Sequence, residues 1–132
     1  ETAIRETSEE LGIPQDSIDI LGPLDRYIPS SKLFIYPFVA MLKNTAFKIN
    51  KQEVEEVFTI PLEWLLKTKP EQHYVHFHPE VQKDFPYDRI ALGKEHQWRP
   101  RETVELFYHY GEYSVWGMTA RILEHFINVV KQ

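Results

Sequence analysis

Glu6, Glu9 and Glu10 stand three and four residues apart near the start of the chain. In a helix, that spacing projects three carboxylates from one side of a single turn. Like charges so placed repel by a few tenths of a kcal/mol per exposed pair, about 0.2–0.5 kcal/mol. A hard divalent cation relieves the repulsion, because Mg²⁺ and its relatives prefer carboxylate oxygens. The plain alternative is a solvated acidic face in which Arg5 lies four residues from both Glu1 and Glu9.

The elements that must position these groups follow from the pattern of residues. Residues 1–11 read as a helix with Ala3, Ile4, Thr7 and Leu11 on an arc beside the carboxylates, ended by Gly12 and Pro14. Residues 18–24 read as a short strand broken at Gly22-Pro23, and residues 29–32 as a turn. Leu33 to Leu42 is the strongest strand signal, and its near-continuous apolar run predicts burial on both faces. Pro37 within it removes a ladder donor and predicts a bulge or an unpaired position. Residues 53–60 are β-branched enough to predict a strand, and Pro61 then opens a short helix carrying Leu62, Leu65 and Leu66. Tyr74 to His78 alternates as an edge strand or hairpin arm, and residues 79–101 read mostly as loop. A strand over 103–110, a turn at Gly111-Glu112 and a helix over 116–130 complete the chain, with Ala120, Leu123, Ile127 and Val130 on one helix face. This order fits a mixed sheet covered by helices on both faces.

The segment Arg5-Glu6-Thr7-Ser8-Glu9-Glu10-Leu11-Gly12-Ile13 resembles the second half of the Nudix box, GX5EX7REUXEEXGU, where U is apolar. Thr7 is a weak match to one apolar slot; every fixed letter of this half is present. The resemblance implies that Glu6, Glu9 and Glu10 ligate catalytic Mg²⁺ or Mn²⁺, that Arg5 orients one carboxylate, and that Gly12 ends the helix. It also implies that the first half of the box lies upstream of Glu1. Residues 1–132 are then expected to form the C-terminal portion of a single Nudix domain, an α/β/α sandwich with a mixed β-sheet lacking its N-terminal strands. Further along, Glu53-Val54-Glu55-Glu56-Val57-Phe58-Thr59-Ile60-Pro61-Leu62 and Trp116-Gly117-Met118-Thr119-Ala120 are similar to segments of the coenzyme A pyrophosphatases of that superfamily. The implied reaction is metal-dependent hydrolysis of coenzyme A to adenosine 3′,5′-bisphosphate and 4′-phosphopantetheine. Hydrolysis of ADP-ribose or another dinucleotide is the alternative within the class, and a non-catalytic ligand-binding domain the alternative outside it. The general base varies in position across the family, so Glu9 and Glu10 share candidacy with Glu56 and Glu53.

Other residues are less telling. His73, His76 and His78 lack a convincing carboxylate spacing and are expected at the surface. Trp116 and Met118 suit either a base pocket or, as more often at the start of an amphipathic helix, the core. Arg99 and Arg101 suit a substrate phosphate or a solvated loop equally.

Composition bounds the rest. The chain has 132 residues, 42% of them apolar, with 8 Phe, 7 Tyr and 3 Trp, which is material for one domain with a core. A formal charge of −5 argues against a nucleic acid polymer as partner, and a small diphosphate is expected instead. There is no cysteine, so no disulfide can form. Apolar runs fall short of the roughly 20 residues that cross a bilayer, so no membrane partner is expected. A cytoplasmic location and a homodimer complete the expectations.

Overall fold

The computed structural model describes residues 1–132. Helix α1 (Thr2–Leu11) is followed by strands β1 (Ile18–Pro23), β2 (Tyr27–Ser30), β3 (Leu33–Ile35) and β4 (Phe38–Leu42). An irregular connection leads to α2 (Leu62–Lys67) and β5 (Glu71–Phe77). After a loop with two short 3-10 turns come β6 (Arg101–Tyr110), β7 (Tyr113–Trp116) and α3 (Gly117–Val130).

Three antiparallel ladders result: β1 with β4, β2 with β3, and β5-β6-β7. The α/β class is as expected, but no parallel pair of the kind a mixed sheet contains occurs. A parallel pair needs a long crossover. Here β2–β3 and β6–β7 are joined by tight turns, and the longer connections return their strands antiparallel. At the second turn Gly111, with φ 60°, occupies the left-handed region that a two-residue hairpin loop requires.

The core sits where α3 lies on β6. Alternation along β6 turns Leu106 and Tyr108 inward, and Ala120 and Ile127 of α3 and Leu65 of α2 meet them. Leu123 packs against this cluster, as its helical spacing requires, whereas Val130 stays exposed. In α2, Leu65 is buried and Leu66 packs beside the cluster, while Leu62 is exposed.

Three expectations are corrected. The long strand over 33–42 splits at Tyr36-Pro37 into β3 and β4, with Pro37 outside the ladder and its carbonyl accepting from the Leu24 N–H at 2.9 Å. It is not buried on both faces: Phe34 is 51% and Phe38 52% exposed. Residues 53–60 form no strand: the Glu53 and Val54 N–H groups turn back to the Asn50 carbonyl, and the residues that follow join no ladder. Trp116 lies outside the core at 59% exposure, stacked on Phe107 at 5.6 Å on the sheet face away from α3; Met118 is exposed as well. No helix is long and apolar enough to cross a membrane.

Candidate functional site

Helix α1 places its two arcs as the sequence requires. Ile4, Thr7 and Leu11 are half-buried, Ala3 is exposed, and Glu6, Glu9 and Glu10 face solvent. Arg5 organises two of the carboxylates. Its Nη1 donates to both oxygens of Glu9 at 3.1 and 3.0 Å, and its Nη2 donates to Glu6. The two carboxylates beside it hold the Arg5 guanidinium above its ordinary pKa. Glu10 forms no ion pair, so its carboxylate points free.

The C-terminal end of α1 is clamped. Gly12 adopts φ 63° and ψ 40°, and the N–H groups of Gly12 and Ile13 both donate to the Ser8 carbonyl. The Lys48 N–H donates to the Leu11 carbonyl, and the Asn50 N–H to the Glu10 carbonyl, each at 2.9 Å. These bonds satisfy helix-end acceptors that would otherwise lack partners. A Cβ on Gly12 would fall 2.0 Å from the Lys48 carbonyl oxygen. Gly12→Ala is therefore expected to lose about 1–2 kcal/mol from the left-handed backbone alone, with the clash adding to it. Calorimetric melting should fall by several degrees; an unchanged melting temperature would show that residues 48–50 are not seated on the helix.

Asn50 also reaches forward. Its Nδ2 donates to Glu53 Oε2 at 3.1 Å, so one residue ties Glu53 to the end of the carboxylate helix. Glu56 is engaged elsewhere: its Oε2 accepts from the Tyr113 hydroxyl at 3.2 Å, and Phe58 stacks on the Tyr113 ring at 4.2 Å. That bond, with the carboxylate's charge, pushes the Tyr113 phenol up from its ordinary pKa. Neither Asn50 nor Tyr113 stood out in the sequence. The only trace of Asn50's role is an amide three residues before a glutamate in a polar turn.

The remaining candidates stay apart. His76 pairs with Glu102 at 3.1 Å and His73 with Glu71 at 3.2 Å, on opposite faces of β5. His78 lies beyond the end of β5, and Arg99 and Arg101 are exposed.

As oxygen donors on one turn, Glu6, Glu9 and Glu10 suit a hard divalent cation in kind. Their carboxylates do not converge on a common point, because Glu6 and Glu9 turn toward Arg5. Releasing Glu9 from Arg5 costs little, since an exposed ion pair of this sort is screened by solvent and contributes little net stability.

A family model described as NUDIX domain matches residues 1–81. Human mitochondrial coenzyme A diphosphatase NUDT8 is 33% identical over 126 residues, covering 93% of this chain and 45% of that protein. The uncharacterized Nudix hydrolase NudL of Photorhabdus laumondii is 28% identical over 131 residues, covering 98% of this chain and 59% of that protein. Chloroplastic Nudix hydrolase 22 of Arabidopsis thaliana is 29% identical over 138 residues, covering 99% of this chain and 39% of that protein. The chain thus spans about half the length of the curated relatives it matches.

Proposed function

The chain belongs to the Nudix family, and from that premise we propose that the whole protein is a metal-dependent hydrolase of nucleoside diphosphates linked to another group, with coenzyme A as its substrate. One observation carries the reading: Glu6, Glu9 and Glu10 lie exposed on a single turn whose end is clamped by Gly12, Lys48 and Asn50. Coenzyme A as the particular substrate is supported by the 33% identity to a coenzyme A diphosphatase. Residues 1–132 would supply the C-terminal portion of the catalytic domain.

Glu6, Glu9 and Glu10 would hold Mg²⁺ or Mn²⁺, which when bound offsets diphosphate charge and acidifies a water. This chain's own part is to fix the carboxylates and take a proton. Arg5 keeps Glu6 and Glu9 oriented on the helix. Asn50 holds Glu53 through Oε2, leaving Oε1 able to accept the proton of an attacking water. Tyr113 holds Glu56 in the same way, which makes Glu56 the second candidate base. The partner is a small diphosphate, not a nucleic acid polymer or a membrane, with a homodimer as the protein assembly.

The experiment is a substrate panel with the whole protein and either metal, run in isotopically labelled water. Coenzyme A should be cleaved, with the label in one phosphate product and none in the thiol arm. Cleavage of ADP-ribose but not of coenzyme A would keep the hydrolase and replace its substrate. No cleavage of any diphosphate would leave a binding domain as the better reading.

A further inference from the structure

On the far side of the Pro37 connection a second cleft opens, with a volume of about 320 Å³. Arg26, from the link between β1 and β2, and Tyr27, the first residue of β2, form one wall, and Arg121 and His125 of α3 form the other. Neither arginine has a carboxylate within 4.0 Å. Arg121 donates to the Val104 carbonyl and keeps its other N–H groups. His125 Nε2 is buried without any hydrogen-bond partner. Such an atom is costly while it stays unpaired.

Two acidic groups, Asp25 and Glu124, also line the cleft, and neither pairs with an arginine. Asp25 Oδ2 comes within 3.5 Å of His125 Nε2 without a hydrogen bond, on a side chain 90% exposed and free to swing into solvent. Glu124 lies close enough to Tyr108 that its charge helps to raise the pKa of that phenol. Arg26, Arg121, His125 and Tyr27 thus border one space. Planar guanidinium forks match the oxygens of a phosphate in pairs. Ile122 is shared between this cleft and an apolar groove lined by Leu24, Phe38, Leu123 and Phe126. A phosphate in the cleft could thus carry an organic group lying along that groove.

We propose that the cleft between the β1–β2 link and α3 binds a phosphomonoester through Arg26, Arg121 and His125, and that in turnover this is the phosphate a substrate carries apart from its diphosphate bridge. The second clause rests on the reading of the whole protein as a nucleoside diphosphate hydrolase; the first does not. The Pro37 connection favours the second clause. Pro37 lines the cleft, and its neighbours Tyr36 and Phe38 line a separate pocket beside Thr2, Ala3 and Ile4 at the start of the carboxylate helix.

Two measurements on the whole protein test this. The first is calorimetric binding of inorganic phosphate and of adenosine 3′,5′-bisphosphate to the unmodified protein, to Arg26→Ala and to His125→Gln. Arg26 is exposed and unpaired, so its loss leaves the fold intact. Each variant should bind both probes about tenfold more weakly, the effect of one lost charge-assisted bond. Unchanged affinity in both variants overturns the site, whether or not the protein cleaves any diphosphate. The second measurement is the ratio of kcat/KM for coenzyme A to that for its form lacking the 3′-phosphate, a ratio insensitive to any unfolded fraction. Arg26→Ala should lower it about tenfold. A weakened phosphate site with that ratio unmoved would upset the second clause and assign the cleft to a separate phosphorylated molecule.

Discussion

Glu9→Gln or Glu10→Gln in the whole protein should cut diphosphate hydrolysis roughly 10²–10³-fold, the usual scale for losing one electrostatic stabiliser of the transition state. Both side chains are half-exposed or more and neither supports the core, so folding should be unaffected. Divalent-ion binding followed by calorimetry should weaken in parallel, which ties the loss to metal ligation. Glu53→Gln and Glu56→Gln then separate the two candidate bases that lie outside α1. A proton acceptor should depress kcat with little change in metal affinity, whereas a carboxylate that merely anchors Tyr113 should leave kcat near its starting value. Equal metal binding and equal turnover in the Glu9→Gln, Glu10→Gln double variant would falsify the assignment of the site to α1.

Leu106→Ala should have the largest effect on stability. Leu106 is 3% exposed and sits in a cluster of only five buried side chains. Truncating a buried leucine costs about 2–5 kcal/mol, set against a total that for most domains is about 5–15 kcal/mol. The urea midpoint should fall sharply, with the cooperative transition lost if the total is near the low end. Leu21→Ala, at a side chain 60% exposed, is the control and should shift it by less than about 0.5 kcal/mol. Comparable shifts for the two would mean that the β6–α3 contact is not the core of the fold.

What could be read from the sequence was whatever a local pattern determines. The carboxylate arc of α1, its glycine stop, the β6 alternation and the Ala120–Leu123–Ile127 face each follow from a period or a cap within one element. What could not be read depends on neighbours distant in sequence. The apolar run over 33–42 looks like a buried strand until the packing on its faces is known, and Phe34, Tyr36 and Phe38 meet solvent. Residues 53–60 have strand-forming side chains but join no ladder, because tertiary context overrides that propensity: Glu56 and Phe58 engage the Tyr113 side chain instead. Trp116 continues the β7 ladder opposite Phe107, and this register decides which sheet face it occupies. The site was legible in the same divided way: Glu6, Glu9 and Glu10 by spacing, but the tie from Asn50 to Glu53 only through backbone bonds made across the fold.

The irregular connection has one more consequence. It is fastened to α1 at Asn50 and to the Tyr113 side chain at Glu56 and Phe58. Between Asn50 and Glu56 the chain can extend to at most about 21 Å. That stretch works as a leash of fixed length between the carboxylate helix and the β6–β7 hairpin. Surface loops usually absorb insertions with little harm, but here an added residue would lengthen the leash and let the two ends drift apart. A deleted residue would undo the turn in which the Glu53 and Val54 N–H groups donate to the Asn50 carbonyl. The least regular part of the molecule is thus the one whose residue count matters most.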